Sequence, residues 1–344
     1  MSAPVLVAMS GGVDSSAAAA LLVEAGCDVT GVSLKLWAGE SDSGCCSVDD
    51  VEDARRVAAQ LDIPHYVFNF VDDFNARVVD PYVDAYAGGS TPNPCVECNR
   101  TMKFGRLLAR AEAMGFATVA TGHHARVDRT AGGRYRLVRG ADRAKDQSYV
   151  LYMLGQRELA RVVLPVGELT KPEVRAHAAR LGLRTAHKPE SMDVCFISNA
   201  EGRASFLGGR MPARPGPVVD GAGAVVGRHD GVEAFTVGQR RGVGVATGSR
   251  RYVVDIDATT ATVTLGNREE LLRDEVQLDG LCFVDQPPPT GRFVHAQVRA
   301  HGEPAPARLQ GDRVCFEQPQ PRVAPGQVVA LYDGDAVLGG GIAA

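Results

Sequence analysis

The chain has 344 residues, 45% of them apolar, and a formal net charge of −4, which suits a well-buried globular protein of two or three domains and gives no global sign of nucleic-acid binding. No apolar stretch approaches the roughly 18 residues of a membrane span, and the first residues lack the basic region and cleavage site of a secretory leader, so a cytoplasmic protein that makes no use of a membrane is expected. Eight cysteines are too few for a disulfide scaffold in so long a chain; in a reducing compartment they read as core residues, ligands or reactive thiols.

Residues 5–8 (VLVA) read as a short buried strand, Ser10-Gly11-Gly12 as a turn free to take positive φ, and residues 15–25 as a helix rich in Ala and Leu. This order aims backbone N–H groups, the hydroxyls of Ser10, Ser15 and Ser16 and the positive end of a helix dipole at one spot, where a phosphate-like anion is held. The loop is neither GxxxxGK(S/T) nor GxGxxG, which weakens kinase and dehydrogenase readings. A turn with only a structural role would need the glycines but not the flanking Ser and Asp. The string SGGVDSS resembles the pyrophosphate-binding loop of the ATP pyrophosphatase superfamily, which implies that ATP is split into AMP and pyrophosphate while a substrate oxygen is adenylated.

Gly26 stops the first helix, residues 28–36 form a second strand, 49–61 an amphipathic helix, 66–70 a third strand, and 73–87 a helix interrupted by Pro81. Strand and helix alternate as in a doubly wound parallel sheet, whose ligands sit beyond the carboxyl ends of the strands. Leu34, ending the second strand, would border an adenine, and Gly122, ending a later strand within residues 117–124, would lie at the same edge. His123 and His124 are either part of this site or ordinary polar groups at a strand end.

Residues 88–103 (GGSTPNPCVECNRTMK) are rich in Gly, Pro and Asn and read as a loop that carries Cys95 and Cys98. A CxxC pair serves as a redox couple, as half of a metal site, or as an activated nucleophile with a neighbour, and spacing alone does not choose. A helix over 102–115 follows. Residues 126–139 read as a hairpin turning at Ala131-Gly132-Gly133, and the stretch from Arg126 to Lys145 holds seven Lys or Arg against Asp128 and Asp142, a local basic excess. Lys145-Asp146-Gln147-Ser148-Tyr149 opens an apolar helix. Thr170-Lys171-Pro172-Glu173 is a capping box, so 170–181 is a helix with a structural role only. Residues 191–198 (SMDVCFIS) read as a strand-like run in which Cys195, taken alone, is most simply a buried apolar residue.

Beyond Gly208 helices vanish and short alternating runs are separated by Gly, Pro and Asp. Hairpins are expected for 251–257 with 261–265, 307–309 with 314–317, and 328–332 with 336–338. The expected fold is an α/β doubly wound parallel sheet of the adenine nucleotide hydrolase kind, followed by two small β-rich or barrel domains. The boundaries fall at 1–207, 208–270 and 271–344.

SGGVDSS, TPNPCVECN, KDQSY, DVCFIS, TVGQRRG (residues 236–242) and LGGGI (residues 338–342) occur here in one order over the full length. Together they resemble the tRNA-uridine 2-sulfurtransferase (MnmA) family. The resemblance implies that the 2-oxygen of the wobble uridine, position 34 of tRNAs for Lys, Glu and Gln, is adenylated and replaced by sulfur. It implies ATP binding by Ala8, Met9, Ser10, Gly11, Gly12, Val13, Asp14, Ser15, Leu34 and Gly122, with Mg²⁺ on the phosphates. It makes Cys195 the thiol that bears the persulfide and Cys98 its nucleophilic partner. tRNA contacts are implied at Asn93, Pro94 and Cys95 for the flipped base and at Lys145, Asp146 and Gln147, while Gln239, Arg240 and Arg241 suit backbone contact. A sulfur donor, either a cysteine desulfurase or a persulfide relay protein, is implied as partner.

One departure matters: some members carry Asp, proposed as an acid/base group, where this chain has Cys95. Either the proton is handled elsewhere, or Cys95, Cys98 and Cys195 are three ligands of a 4Fe–4S cluster that binds sulfide directly; Cys45 and Cys46, adjacent in a Gly/Ser loop, could add ligands, although vicinal cysteines are usually structural or incidental. Two other readings compete. An amide-forming ligase of the superfamily would need an ammonia source, and a non-catalytic tRNA-binding module would not need Ser10, Asp14 and Ser15 intact.

Overall fold

The first apolar run forms strand β1 (Val5–Ala8), in which Leu6 and Val7 are fully buried. A strand without a polar face must be covered on both sides, the condition of a parallel sheet. β1 is joined by β2 (Val29–Lys35), β3 (His65–Asn69) and β4 (Thr118–Ala120) and, beyond a hairpin of β5 (Ala125–Arg129) and β6 (Tyr135–Arg139), by β7 (Val162–Val163). The order is β3-β2-β1-β4-β7, parallel throughout, with β1 in the centre. The computed structural model describes residues 4–38, 47–190, 194–197, 202–245 and 250–344; Cys45 and Cys46 lie outside the described residues.

Helix α1 (Val13–Glu24) covers one face with Ala17 to Ala20, none of them exposed, and small side chains let Val174 and Ala178 of the helix Lys171–Arg180 pack in the same core. Helix α2 (Val48–Gln60) adds Ala54, Val57 and Ala58. The opposite face is more aromatic: Leu6 and Val32 share a core with Phe74, Tyr82, Tyr86, Cys98, Met102 and Phe196. Each fully buried side chain of this size contributes about 1.5–3 kcal/mol.

Four sequence expectations are corrected here. Residues 71–87 are one continuous helix, not one interrupted by Pro81. It runs through Val71–Phe74, a widened π segment Asn75–Val79, and Asp80–Ala87. Proline lacks an N–H and its ring crowds the preceding turn, and the wide turn just before Pro81 gives it room. Residues 88–103 are not a loop throughout, because a helix begins at Pro94 and continues through Pro94–Glu97, the wide segment Cys98–Leu107 and Leu108–Ala113. Asn93 caps it by accepting from the Cys95 N–H at 3.1 Å, and Pro94 takes the first helical position, where its missing N–H has no partner to lose.

The apolar run after Lys145 yields only the 3₁₀ turn Ser148–Leu151. Ser148, Tyr149, Leu151 and Tyr152 are all buried, so the segment has no outer face for an amphipathic helix, and Tyr149 donates its hydroxyl to the Val328 carbonyl at 2.8 Å. The run 191–198 is not a strand in its described part, residues 194–197, which turn, with the Ile197 N–H on the Val194 carbonyl at 3.3 Å. Phe196 accounts for the turn. Its ring is set among Phe206, Tyr82, Phe74 and Trp37 at centroid distances of 5.2, 5.4, 5.7 and 6.0 Å.

The expected β hairpins are present. β8 (Gly216–Asp220), β9 (Val225–His229), β10 (Tyr252–Asp257) and β11 (Thr262–Gly266) form a four-stranded sheet, β10-β11-β8-β9. The last unit has β12 (Leu272–Phe283), β13 (Arg292–Gln297), β14 (Ala305–Gln310), β15 (Arg313–Pro321), β16 (Val328–Asp333) and β17 (Ala336–Ala343). Because β12 pairs with both β15 and β17, these six strands close into a barrel, which leaves no open edge. The hairpin β5–β6 joins the outside of this barrel, Val138 facing Ala336 across β6 and β17. No helix among the described residues is long and apolar enough to cross a membrane.

Candidate active site

Ala8 ends β1, and the chain turns through Met9 to Gly12 into α1. Gly11 has φ +74°, and a Cβ there would lie 2.2 Å from the Asp50 carbonyl oxygen; only glycine fits. The Ser10 N–H donates to Ser15 Oγ at 3.1 Å, the two hydroxyls meet at 3.2 Å, and Ser15 and Ser16 donate to the Gly12 carbonyl at 3.1 and 2.9 Å. The serines thus brace the loop around the first turn of α1. Gly122, after β4, packs against it so closely that a Cβ would fall 2.6 Å from Asp14 C and Ser15 N. Leu34, at the end of β2, is nearly buried at the same sheet edge.

Asp14, in the first turn of α1, receives Lys171 Nζ on both oxygens, at 2.8 and 2.6 Å, and His124 Nε2 at 3.1 Å. Burial pushes the Asp14 carboxyl up, but the hydrogen bonds from His124 and Lys171 and the Lys171 charge outweigh it, leaving the carboxyl below its usual range. His124 is held in turn by Gln147, which accepts from its N–H and donates its own N–H to the His124 carbonyl, both at 2.9 Å. His123 is fully enclosed, with Nδ1 at 2.7 Å from Thr121 Oγ1 and Nε2 at 3.5 Å from Lys103 Nζ. Burial above all, then the Lys103 charge, drives its pKa well below that of a free imidazole.

Lys171 is the residue the sequence reading passed over when it gave the helix 170–181 a structural role only. The capping box is present, Thr170 N–H donating to Glu173 at 2.7 Å, yet the same turn delivers a largely buried ammonium to the nucleotide loop. A signal existed: a lysine in the first turn opposes the helix dipole and needs an acidic partner. Besides Asp14 it meets Glu190 at 3.6 Å, and Glu190 holds Lys145 at 2.7 Å.

Cys98 is nearly buried in the aromatic core, and Cys195 packs against that same core beside Phe196. Cys95 sits half-buried, three residues ahead on the helix, close enough to Tyr82 to add to the upward shift of its phenol, after burial and Tyr86. Cys98 and Cys195 therefore border one extended core. Among the described residues, however, no group of three His, Cys, Asp or Glu side chains is placed to hold a metal ion. Cys95, Cys98 and Cys195 are thus not grouped around a single ion. Magnesium carried on nucleotide phosphates needs only one or two protein carboxylates, and Asp14 is the carboxylate at the loop.

Of the residues expected to meet tRNA, Asn93 and Pro94 stand where the three units converge. Thr91 N–H donates to the Pro325 carbonyl at 2.7 Å and Thr91 Oγ1 to Thr236 at 3.4 Å. Lys145 lies on the surface. Asp146 does not: it accepts from Arg139 at 2.7 Å, from Ser148 Oγ at 2.9 Å, and from the N–H groups of Gly140 and Ser148, both at 3.0 Å, and its side chain is 4% exposed. Gln147 serves His124. Gln239 closes a local turn, accepting from the Thr236 N–H and donating to the Arg241 carbonyl. Arg240 and Arg241 are exposed on that turn and, among the described residues, form no ion pair.

The basic excess of 126–145 is cancelled in space by carboxylates the sequence window did not contain. Arg134 pairs with Asp285, Arg143 with Asp335, Arg126 with Glu168, Arg139 with Asp146 and Lys145 with Glu190, while Arg136 takes Asp128. Of the hairpin arginines, Arg134, Arg139 and Arg126 thus meet Asp285, Gln297 and Asp335 of the last unit, while Arg129 and Arg136 are held within the hairpin by Tyr135 and Asp128.

Residues 3–199 match the family described as tRNA methyl transferase HUP domain, 204–267 the tRNA methyl transferase PRC-barrel domain, and 273–343 the aminomethyltransferase beta-barrel domain. The chain is 49% identical over 367 residues to the tRNA-specific 2-thiouridylase MnmA of Roseiflexus sp. (strain RS-1), covering 98% of each chain. It is 50% identical over 351 residues to the protein of that name from Chloroflexus aurantiacus (strain ATCC 29366 / DSM 635 / J-10-fl), again covering 98% of each. Among solved structures it is similar to the U34-tRNA thiolase NcsA from Methanococcus maripaludis with its 4Fe–4S cluster, at a TM-score of 0.37 and 17% identity over 56% of this chain and 61% of that one. So distant a likeness carries nothing about a cluster here.

Proposed function

The chain belongs to the tRNA-specific 2-thiouridylase family, and from that premise we propose that it uses ATP to replace the 2-oxygen of the wobble uridine of tRNAs for Lys, Glu and Gln by sulfur. The observation that carries this reading is the reach of the likeness, about half of all positions over 98% of both chains. A nucleotide loop alone would speak only for ATP splitting.

The chemistry explains the need for ATP. A carbonyl oxygen is a poor leaving group. Attack of the C2 oxygen on the α-phosphorus forms an O-adenylated base and expels pyrophosphate, and the adenylate then leaves as AMP. The loop from Ala8 to Ser15, with Leu34 and Gly122 at its edges, would take the nucleotide through its amides and the α1 dipole. Magnesium would neutralise charge on the phosphates.

In this reading Cys195 carries the persulfide, loaded by a cysteine desulfurase or a persulfide relay protein. Its terminal sulfur attacks C2 and displaces AMP, after which the Cys98 thiolate attacks Cys195 Sγ, releasing the thiolated base and leaving a Cys98–Cys195 disulfide for an external thiol to reduce. Alternatively Cys98 first frees sulfide from the persulfide, and that sulfide attacks C2. Either order requires the two sulfurs to meet, and Cys98 and Cys195 border the same extended apolar core. Asn93, Pro94 and Cys95 would border the flipped base; Lys145 and Arg240, with Gln239 shaping the turn, would meet the RNA backbone.

The test is mass spectrometry of digested tRNA after incubation of the protein with ATP, Mg²⁺, unthiolated tRNA and a sulfide or persulfide source under argon, with and without iron. 2-Thiouridine formed equally without iron is the expected result. Product only with iron overturns the persulfide route, and tRNA-dependent release of AMP and pyrophosphate without product overturns the sulfur step. Neither product nor AMP leaves a tRNA-binding module or a different ligase.

A further inference from the structure

Two lysines share one carboxylate between the two substrate regions. Lys145 Nζ lies 2.7 Å from Glu190 Oε2, and Lys171 Nζ lies 3.6 Å from Glu190 Oε1 while holding both oxygens of Asp14 at 2.8 and 2.6 Å. The backbone on each side is fixed. Asp142 accepts from the Lys171 N–H at 2.9 Å and from the Ala144 N–H at 3.0 Å, and its carbonyl accepts from the Lys145 N–H at 3.1 Å. The side chains are not equally fixed, since those of Lys145 and Glu190 are 37% and 44% exposed and that of Lys171 only 11%. What can move in this row is therefore Glu190, together with the lysine ends it joins.

We propose that Glu190 couples the two substrates, passing the arrival of an RNA phosphate at Lys145 to the Asp14 carboxylate at the nucleotide loop. The proposal rests on the reading of Lys145 as a phosphate contact. A phosphate competes with Glu190 for the Lys145 ammonium and repels the Glu190 carboxylate, which is then left with one cation, Lys171. Glu190 closes on Lys171 and draws it off Asp14. In the present arrangement the ammonium covers both Asp14 oxygens and His124 also holds Oδ1; once Lys171 leaves, Oδ2 is available to the magnesium ion that accompanies the nucleotide, with Oδ1 still held by His124. The sign of the coupling follows: bound tRNA tightens binding of the magnesium nucleotide, and by linkage the nucleotide tightens binding of tRNA by the same factor. The row also gives a reason for a cation in the first turn of the helix Lys171–Arg180, against its dipole: Lys171 has two carboxylates to choose between.

The test measures calorimetric affinity of the full chain for Mg²⁺ with α,β-methylene-ATP, which is not cleaved between the α and β phosphorus, with and without unthiolated tRNA. In the unaltered chain tRNA is expected to tighten nucleotide binding by about fivefold or more. In Glu190→Gln, which keeps shape and removes the charge, the ratio is expected to fall to about one. A Glu190 with a merely structural role would shift nucleotide affinity equally with and without tRNA, so an unchanged ratio in Glu190→Gln overturns the proposal, as does a ratio of about one in the unaltered chain. Lys145→Met is expected to weaken tRNA binding and abolish the ratio. If tRNA binds the unaltered chain but Lys145→Met changes neither quantity, the coupling is wrong and the thiolation reading stands. If the unaltered chain binds no tRNA, the thiolation reading itself falls and the coupling with it.

Discussion

At the scale of single residues, the site joins two kinds of side chain: polar ones that brace the loop and sulfurs that sit in an apolar core. Cys98 is nearly buried and Cys195 is packed beside Phe196, so exchanging either sulfur for oxygen changes little volume. Cys98→Ser and Cys195→Ser are each expected to lower 2-thiouridine formation by more than about a hundredfold, the scale of a single reacting group, with melting temperature within about 4 °C of the unaltered chain. Full activity in either variant would remove its assigned role. His123 has a consequence for pH. Its pKa in the fold lies well below the 6.5 of a free imidazole, so below that pH the unfolded chain binds a proton that the folded chain does not. Stability is therefore flat above about pH 6.5 and falls as pH drops below it. Urea midpoints should decline from about pH 7.5 to about pH 5.5, and His123→Gln should remove part of that decline; an equal decline in the variant would place its cause elsewhere.

At the scale of elements, strand-loop-helix logic explains why the nucleotide loop was legible. Its bonds, among Ser10, Gly12, Ser15 and Ser16, span five residues or fewer, so local sequence carried them. Gly122 was legible as an edge residue but not as a spacer. The fold presses it against α1, and Gly122→Ala, with a Cβ 2.6 Å from the Asp14 and Ser15 backbone, must displace the loop. Nucleotide affinity should fall at least about tenfold while the barrel keeps its circular dichroism and its unfolding transition. Unchanged affinity would show that the loop yields freely. The cysteine helix was misread for an instructive reason: Asn93-Pro94 satisfies both the turn and the helix-start pattern, and only the cap bond to the Cys95 N–H decides between them.

At the scale of the whole molecule, the C-terminal barrel is tied to the parallel-sheet unit by a buried polar junction. Arg139 pairs with Asp146 at 2.7 Å, donates to Gln297 at 2.7 Å and lies over the Tyr332 ring at 3.7 Å, while Ser148 Oγ meets Tyr332 at 3.1 Å. Removing Arg139 would strand the Asp146 charge, so Arg139→Met is expected to destabilise the chain by about 3–5 kcal/mol. Hydrogen exchange should increase in β6 and β17 together; increased exchange confined to β6 would mean that the junction does not couple the two units. The neighbouring hairpin shows why charge counted along a sequence misleads. Its Arg134 meets Asp285 and its Arg126 meets Glu168 and, at 4.0 Å, Asp335, all supplied by segments far along the chain.

By itself the sequence determined the features whose causes are local: the buried β1, the serine-braced loop, the turn-bounded hairpins of the β region, and the ordered motifs that place the chain in its family. These follow from periodicity, turn chemistry and bonds between near neighbours. Only the tertiary structure decided the partners of charged groups. Asp14 and Lys171 are 157 residues apart, Asp14 and His124 are 110 apart, and Lys145 and Glu190 are 45 apart. The energy of a buried charge depends on what lies within a few ångströms in space, and no local pattern records which distant residue that will be.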